Sequence, residues 1–234
     1  MNTDLCVYCG AIAETDDHVP PKNIFPTPRP SNLVTVRSCE RCNCGATKDD
    51  EYFRTVLVFR EDVGETSASN QLWATVRRSL RRPEARRFRN SLANSMFDDF
   101  TKTPGGVIDG IGTKMRIDGD RMNRVLARTV KGLYFKHFGT RIPESDKLVV
   151  YSEQHFDLMP DSVSEMLGEI VTCVTRQKHH KIGDDIFEYC FASVADHPSS
   201  SAWAMRFFSS VYFLAMNVPC DYKSIAMDAL ALNE

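Results

Sequence analysis

The sequence predicts an α+β fold in two parts, a small N-terminal module over residues 1–62 and a larger domain over 63–234 that contains an antiparallel sheet. Three observations predict it. Five of the eight cysteines fall within the first 44 residues. Apolar residues recur at steps of three and four over 122–138, which is typical of a helix packed on one face. Two late segments, 186–194 and 202–216, are rich in β-branched and aromatic residues, which favours strands.

Composition limits the class of protein. The chain has 234 residues, 29 basic against 31 acidic, and 42% hydrophobic residues. This balance is typical of globular proteins and too apolar for a disordered chain. The longest apolar run, 211–216, is far shorter than the ~20 residues that cross a bilayer, so we expect no membrane span. The first residues show neither a basic start nor an apolar stretch, and we expect a cytoplasmic protein.

Two Cys-x2-Cys pairs, Cys6 with Cys9 and Cys39 with Cys42, are separated by 29 residues. Without an export signal, such pairs indicate metal ligands before disulfides. Four thiolates form a closed tetrahedron around Zn²⁺ and leave no position for a substrate, so we expect a structural zinc ion. Two alternatives remain open: the four thiols bind no metal, or Cys44 replaces one of them.

The N-terminal module is predicted as strand, long loop, strand and helix. Five prolines between residues 20 and 30 favour an extended loop over 20–32, because proline fixes φ and donates no hydrogen bond. Residues 33–36 alternate in the manner of a short strand, and the pattern from Cys39 to Phe59 suits a helix.

The larger domain is predicted to open with helical residues 70–96, interrupted at Pro83. Asp118 can cap the helix that contains residues 122–138, and Gly139 lies just past the end of that helix.

Strands are predicted over 147–151, 186–194 and 202–216, with a helix over 162–172. The three remaining cysteines lie in apolar segments and are predicted to be buried. They are Cys173, Cys190 and Cys220.

The residues between and beside the cysteine pairs form a recognisable order. Asp17 and His18 are followed by a proline at position 20, Asn32 precedes a short strand, and Asn43 comes directly after Cys42. In this order the sequence resembles the HNH endonuclease family and its ββα-metal motif. The resemblance covers about residues 4–54 and says nothing direct about 60–234.

The resemblance implies a metal-dependent endonuclease that hydrolyses DNA phosphodiester bonds. It implies that His18 is the general base, since a neutral imidazole can take a proton from an attacking water. Asp17 and Asn43 would supply hard oxygen ligands to a catalytic Mg²⁺ or Mn²⁺ ion. Asn32 would hold the loop that carries the base by hydrogen bonding. Some family members carry a further metal-binding histidine where this chain has Thr47, so water and phosphate are expected to complete the ion's coordination.

Arginine is concentrated in two places. Residues 77–89 contain seven arginines and one glutamate, and Arg121, Arg124 and Arg128 share one face of the predicted helix. Such density indicates a phosphate-binding surface or a solvated helix, and one stripe can instead pair with acids at a subunit contact. We expect double-stranded DNA as partner, and a homodimer is possible. The predicted nucleic-acid-binding residues are Lys48, Arg77, Arg78, Arg81, Arg82, Arg86, Arg87, Arg121, Arg124 and Arg128.

A different function fits the same residues. The chain can be a catalytically inactive, zinc-stabilised module that keeps the motif as a scaffold and binds nucleic acid or protein. In either case the role of 63–234 is open among DNA recognition, dimerisation and regulation.

Overall fold

The computed structural model describes residues 5–63, 66–103, 105–194 and 197–219. The first part of the chain is a hairpin followed by helices, in the predicted order of strand, loop, strand and helix. Its elements are β1 (Thr15–Val19), β2 (Val34–Ser38), α1 (Glu40–Asn43) and α2 (Thr47–Phe59). The two strands are antiparallel, and His18 lies opposite Thr35. The loop between them is irregular, with a short 3-10 turn at Lys22–Ile24 and a second turn at residues 31–32.

The middle of the chain is two helices, a hairpin and a long helix. These are α3 (Ser67–Leu80), α4 (Arg86–Ser95), β3 (Met96–Lys102), β4 (Ile108–Met115) and α5 (Gly119–Phe138). The predicted interruption at Pro83 is confirmed. The predicted caps are confirmed as well, since the Asp118 side chain accepts a hydrogen bond from the Arg121 N–H and Gly139 ends α5.

The last part is a five-stranded antiparallel sheet with two helices. Its elements are β5 (Lys147–Ser152), α6 (Glu153–Leu158), α7 (Asp161–Thr175), β6 (His180–Ile182), β7 (Phe187–Val194), β8 (His197–Phe207) and β9 (Val211–Val218). The strand order is β5-β9-β8-β7-β6.

The prediction of one strand over 202–216 is wrong, because the chain reverses between β8 and β9. Phe208 and Ser209 have positive φ values of 49° and 61° in that turn. The apolar residues Trp203, Phe207 and Val211 all fall on odd positions, so the alternation keeps its phase through the reversal. The pattern alone therefore could not reveal the turn.

One cluster of buried apolar side chains extends across residue 62, where the sequence analysis divides the chain. The ring centroids of Phe53 in α2 and Phe207 in β8 are 5.3 Å apart. At Gly132 in α5, a Cβ would lie 2.4 Å from a methyl group of Val19, so α5 lies directly against β1. The first 62 residues thus share their core with the rest of the chain, and the division into two domains stays a prediction.

The three later cysteines differ from one another. Cys190 is buried as predicted, whereas Cys173 is exposed on the outer side of α7 and that prediction is wrong. Cys220 lies outside the described residues. Among the described helices, none combines the length and the apolar content that crossing a bilayer requires.

Candidate metal centre and the adjoining His18 site

Cys6, Cys9, Cys39 and Cys42 converge on one point. Their sulfur atoms all lie within 4.8 Å of one another, and the Sγ atoms of Cys9 and Cys39 are 3.6 Å apart. Four sulfurs at about 2.3 Å from a tetrahedral zinc ion stand about 3.8 Å apart, so this cluster has the size of a four-thiolate site. It can hold a metal ion such as zinc. Cys44 is exposed and lies outside the cluster.

The local backbone explains the convergence. The first pair sits on a tight turn in which the N–H of Gly10 donates to the carbonyl oxygen of Cys6, and Gly10 takes a φ of +73°. That left-handed conformation favours glycine. The second pair opens α1, where the N–H of Asn43 donates to the carbonyl oxygen of Cys39.

The surroundings of Cys6 favour a thiolate. Burial raises its pKa, but backbone N–H groups, including that of Cys39, outweigh this effect and bring the pKa to about 6. The pKa of Cys42 is raised by burial and by the neighbouring thiols. A bound cation would instead lower the pKa of Cys42, because a thiol that coordinates a metal ion loses its proton.

Asp17 and His18 point to opposite sides of β1, because successive side chains in a strand alternate. Asp17 is buried at 6% exposure and faces α5. Its Oδ2 accepts a hydrogen bond from the Tyr8 hydroxyl at 2.9 Å and lies 3.2 Å from Nε of Arg128. Its Oδ1 accepts the backbone N–H of His18 at 2.9 Å. Both carboxylate oxygens are therefore engaged.

Arg128 links this group to the helix that follows the cysteines. Its side chain is only 10% exposed and also pairs with Asp50 of α2. Burial raises the pKa of Asp50 to about 6, and the negative charge of Asp17 contributes to the increase. The positive charge of Arg128 acts in the opposite direction but does not outweigh burial. Tyr8, Asp17, Asp50 and Arg128 thus form a largely buried polar cluster, which we call the Arg128 cluster, between the hairpin, α2 and α5.

His18 is half-buried on the other side of β1. In the described part of the chain its imidazole has no hydrogen-bond partner. Burial lowers its pKa below the ordinary value, and the positive charge of Lys22 adds to this effect. The side chain is therefore a neutral imidazole at pH 7, free to accept a proton.

The two predicted asparagines make different contacts. The Asn43 amide donates to the Thr15 hydroxyl and to the carbonyl oxygen of Asp16, both at 3.1 Å. It therefore joins α1 to the start of β1, and its own carbonyl oxygen accepts no hydrogen bond from the residues that the structure describes. The Asn32 amide donates to the carbonyl oxygen of Lys181 at 2.9 Å, which fastens the loop before β2 to strand β6.

A catalytic divalent ion is a separate question from the cysteine site. Tyr8 and Arg128 already contact Oδ2 of Asp17, and the Asn43 amide group bonds Thr15 and Asp16. The described contacts therefore give no support to an Mg²⁺ or Mn²⁺ ion at this pair. Within the described ranges, the cysteine cluster is the one group of three or more His, Cys, Asp or Glu side chains close enough to share an ion. The catalytic ion stays a prediction from the resemblance.

The predicted nucleic-acid-binding residues fall into two groups. Arg121 and Arg124 of α5 both pair with Asp49, at 2.9 and 2.7 Å, and Arg128 belongs to the buried cluster described above. The positive charges of these three arginines are therefore neutralised by acidic side chains of the same chain. The side chains in the other group are exposed, and in the ranges that the structure describes none of them forms an ion pair. These are Lys48, Arg77, Arg78, Arg81, Arg82, Arg86 and Arg87.

Sequence reasoning missed Tyr8, Asp49 and Asp50 as partners of the arginines on α5. The position of Asp49 and Asp50 in the first turn of α2 favours solvated acids, because negative charge is stabilising near a helix N-terminus. A signal was present, since two adjacent acids on one helix match three arginines spaced by three and four on another. The pairing depends on α2 and α5 lying side by side, and no sequence pattern states that.

Comparison of the chain with protein-family models, with curated proteins and with solved structures gives no match. The resemblance to HNH endonucleases therefore rests on the residues of this chain alone.

Proposed function

We propose that the protein hydrolyses phosphodiester bonds in nucleic acid, with double-stranded DNA as the substrate and His18 as the general base. The observation that carries the proposal is the state of His18. Its imidazole is neutral and unpartnered among the described residues, and it stands on a hairpin fixed by the four-cysteine cluster on one side and by α5 on the other. A general base needs this combination of a neutral nitrogen and a fixed position.

The charges near His18 support a phosphate substrate. Lys22 and Arg29 both act on the pKa of His18 as positive charges. Both side chains are exposed on the loop between β1 and β2. A phosphodiester that approaches His18 meets these cations, and its negative charge would be partly neutralised there. We infer that His18 removes a proton from water while these cations hold the phosphate.

In this proposal the ion in the cysteine cluster is zinc, and it is structural. Four thiolates close the coordination sphere, so the ion offers no position to a substrate. Its contribution is to fix the strand that carries His18. Mg²⁺ or Mn²⁺, when bound, would add charge neutralisation at the phosphate.

Replacing His18 tests the proposal directly. We expect His18→Ala to slow the nicking of supercoiled plasmid by at least about 100-fold, the lower bound for losing a general base. The assay is run with Mg²⁺, with Mn²⁺ and with EDTA, so that dependence on a divalent ion is measured separately. His179→Ala, which removes an exposed imidazole from another part of the chain, is the matched control. Nicking that survives His18→Ala in all three conditions would remove His18 from this role.

The exposed arginines between α3 and α4 supply the second prediction. Arg81→Gln with Arg82→Gln should weaken binding to a short DNA duplex and reduce the slope of log K against log salt by about 2, since each lost phosphate contact changes it by about 0.9. Arg121→Gln with Arg124→Gln removes the same charge from residues already paired with Asp49. We expect a change below about 1 for this pair. If the two double variants change the slope of log K against log salt equally, the DNA does not bind at Arg81 and Arg82.

A second function has its own supporting observation. The carboxylate that the resemblance assigns to a catalytic ion, Asp17, is held by Tyr8 and Arg128. That arrangement favours a zinc-stabilised module that binds nucleic acid without cutting it. DNA binding in the salt titration, combined with no nicking by wild-type protein under any condition above, would select this function.

A further inference from the structure

A cleft of about 540 Å³ lies between helix α7 and one face of the C-terminal sheet. Cys190, Ala204 and Leu214 lie side by side across three strands and form its floor. Val171 and Thr175 of α7 and Phe156 of α6 line its sides. Protein interiors contain few spaces larger than a water molecule, whereas clefts of about 300–1,000 Å³ are typical of small-molecule sites.

The cleft has a local cause in the sequence. Gly168 lies on the same stripe of α7 as Val171 and Thr175, and a Cβ at this position would meet nothing within 4 Å. Gly168 borders this cleft and also a shallower depression beside Thr172 and Cys173, so the backbone of α7 is uncovered at this position. Glycine in a helix interior also costs about 1 kcal/mol relative to alanine. Gly168 therefore lowers the stability of α7 at a position that borders the cleft.

One end of the cleft is charged. Glu188 accepts a hydrogen bond from Nδ1 of His179 at 2.6 Å and pairs on its other oxygen with Arg206. Hydrogen bonds to the Thr175 carbonyl oxygen and to Glu188 raise the pKa of His179, which favours its charged form. Two basic side chains, Arg206 and His179, therefore border this end of the cleft beside a single carboxylate.

The other end of the cleft has the opposite composition, with two acids around one basic side chain. Glu153 lies there and pairs with Arg60 at 3.3 Å, and Arg60 pairs in addition with Asp62 at 2.8 Å. The charges along the cleft therefore favour a ligand whose anionic group lies at Arg206 and whose remaining surface is apolar.

We propose that this cleft binds a small amphipathic anion, with an aromatic or acyl body between α7 and the sheet and one carboxylate or sulfonate group at Arg206. This binding site is separate from His18 and from the cysteine cluster, and its occupancy does not depend on nuclease activity.

Two fluorescent probes of similar shape test the proposal on the full chain. 1-Anilinonaphthalene-8-sulfonate carries one anionic group, and N-phenyl-1-naphthylamine is its neutral counterpart. We expect wild-type protein to bind both, and Gly168→Leu to lose both because the leucine side chain would obstruct the cleft beside α7. Arg206→Gln should weaken the sulfonate at least about tenfold and change the affinity for the neutral probe by less than about twofold.

Glu169→Leu is the matched control, since it adds the same side chain at an exposed position of α7, and it should bind both probes as wild type does. Gly168→Leu replaces glycine with a strong helix former, so its melting temperature should equal or exceed that of wild type. Loss of binding then reports an obstructed cleft rather than unfolding. The site is overturned if wild-type protein binds neither probe or if Gly168→Leu binds them unchanged, and the anion is overturned if Arg206→Gln weakens both probes equally.

Discussion

Cys6→Ser should abolish zinc binding and lower the melting temperature by at least about 10 °C. Structural zinc contributes an apparent ~10–16 kcal/mol to folding, which matches or exceeds the whole stability of most domains. For a chain of this size about 2–4 °C of melting temperature corresponds to 1 kcal/mol, so even a partial loss is large. Zinc content and thermal unfolding followed by circular dichroism measure both effects.

The chain offers a close control in Cys44→Ser. Cys44 is two residues from Cys42 but is exposed and outside the cluster, so this variant should keep one zinc per chain and the wild-type melting temperature. A Cys6→Ser protein that melts like wild type would show that the cluster is not a structural metal site. Zinc loss on substituting Cys44 would show that the ligand set differs from the four that the structure brings together.

Arg128→Leu should cost about 3–5 kcal/mol, because it leaves Asp17 and Asp50 buried without their shared cation. The substitution keeps an apolar side chain at this position of α5 and removes the guanidinium. Burial already raises the pKa of Asp50 to about 6, and losing Arg128 raises it further. A carboxyl whose folded pKa is raised loses stability as pH rises, so the deficit against wild type should be larger at pH 8 than at pH 5.

Arg124→Leu serves as the comparison in the same helix. Its side chain is 59% exposed, and exposed ion pairs contribute about 0–1 kcal/mol. Urea unfolding of the two variants at both pH values separates them. If Arg128→Leu costs no more than Arg124→Leu, the Arg128 cluster does not hold α5 against the hairpin.

Local sequence signals predicted most elements because their causes are local. Asp118 and Gly139 marked the ends of α5, and Pro83 separated α3 from α4, since capping and the geometry of proline act within one helical turn. The reversal at Phe208 and Ser209 escaped prediction because the apolar alternation continues through it in phase.

The candidate site likewise has one part that local sequence signals predict and one part that they do not. The spacing of Cys6, Cys9, Cys39 and Cys42 predicted a cluster that the structure confirms, because each pair sits on a short turn that directs both sulfurs to one side. The environment of Asp17 could not be predicted in this way. Whether it meets an ion or an arginine depends on a residue more than a hundred positions away, and the sequence shows Arg128 only as one member of a basic stripe.

By itself, the sequence determined the cysteine cluster and the order of hairpin and helix, because periodicity and turn geometry fix these over a few residues. The tertiary structure alone decided which charges are free. The contact of α5 with β1 and α2 places Arg121, Arg124 and Arg128 against Asp49, Asp17 and Asp50, while the arginines of α3 and α4 stay exposed. An ion pair forms between groups that packing brings within a few ångströms, and a linear sequence does not specify that distance.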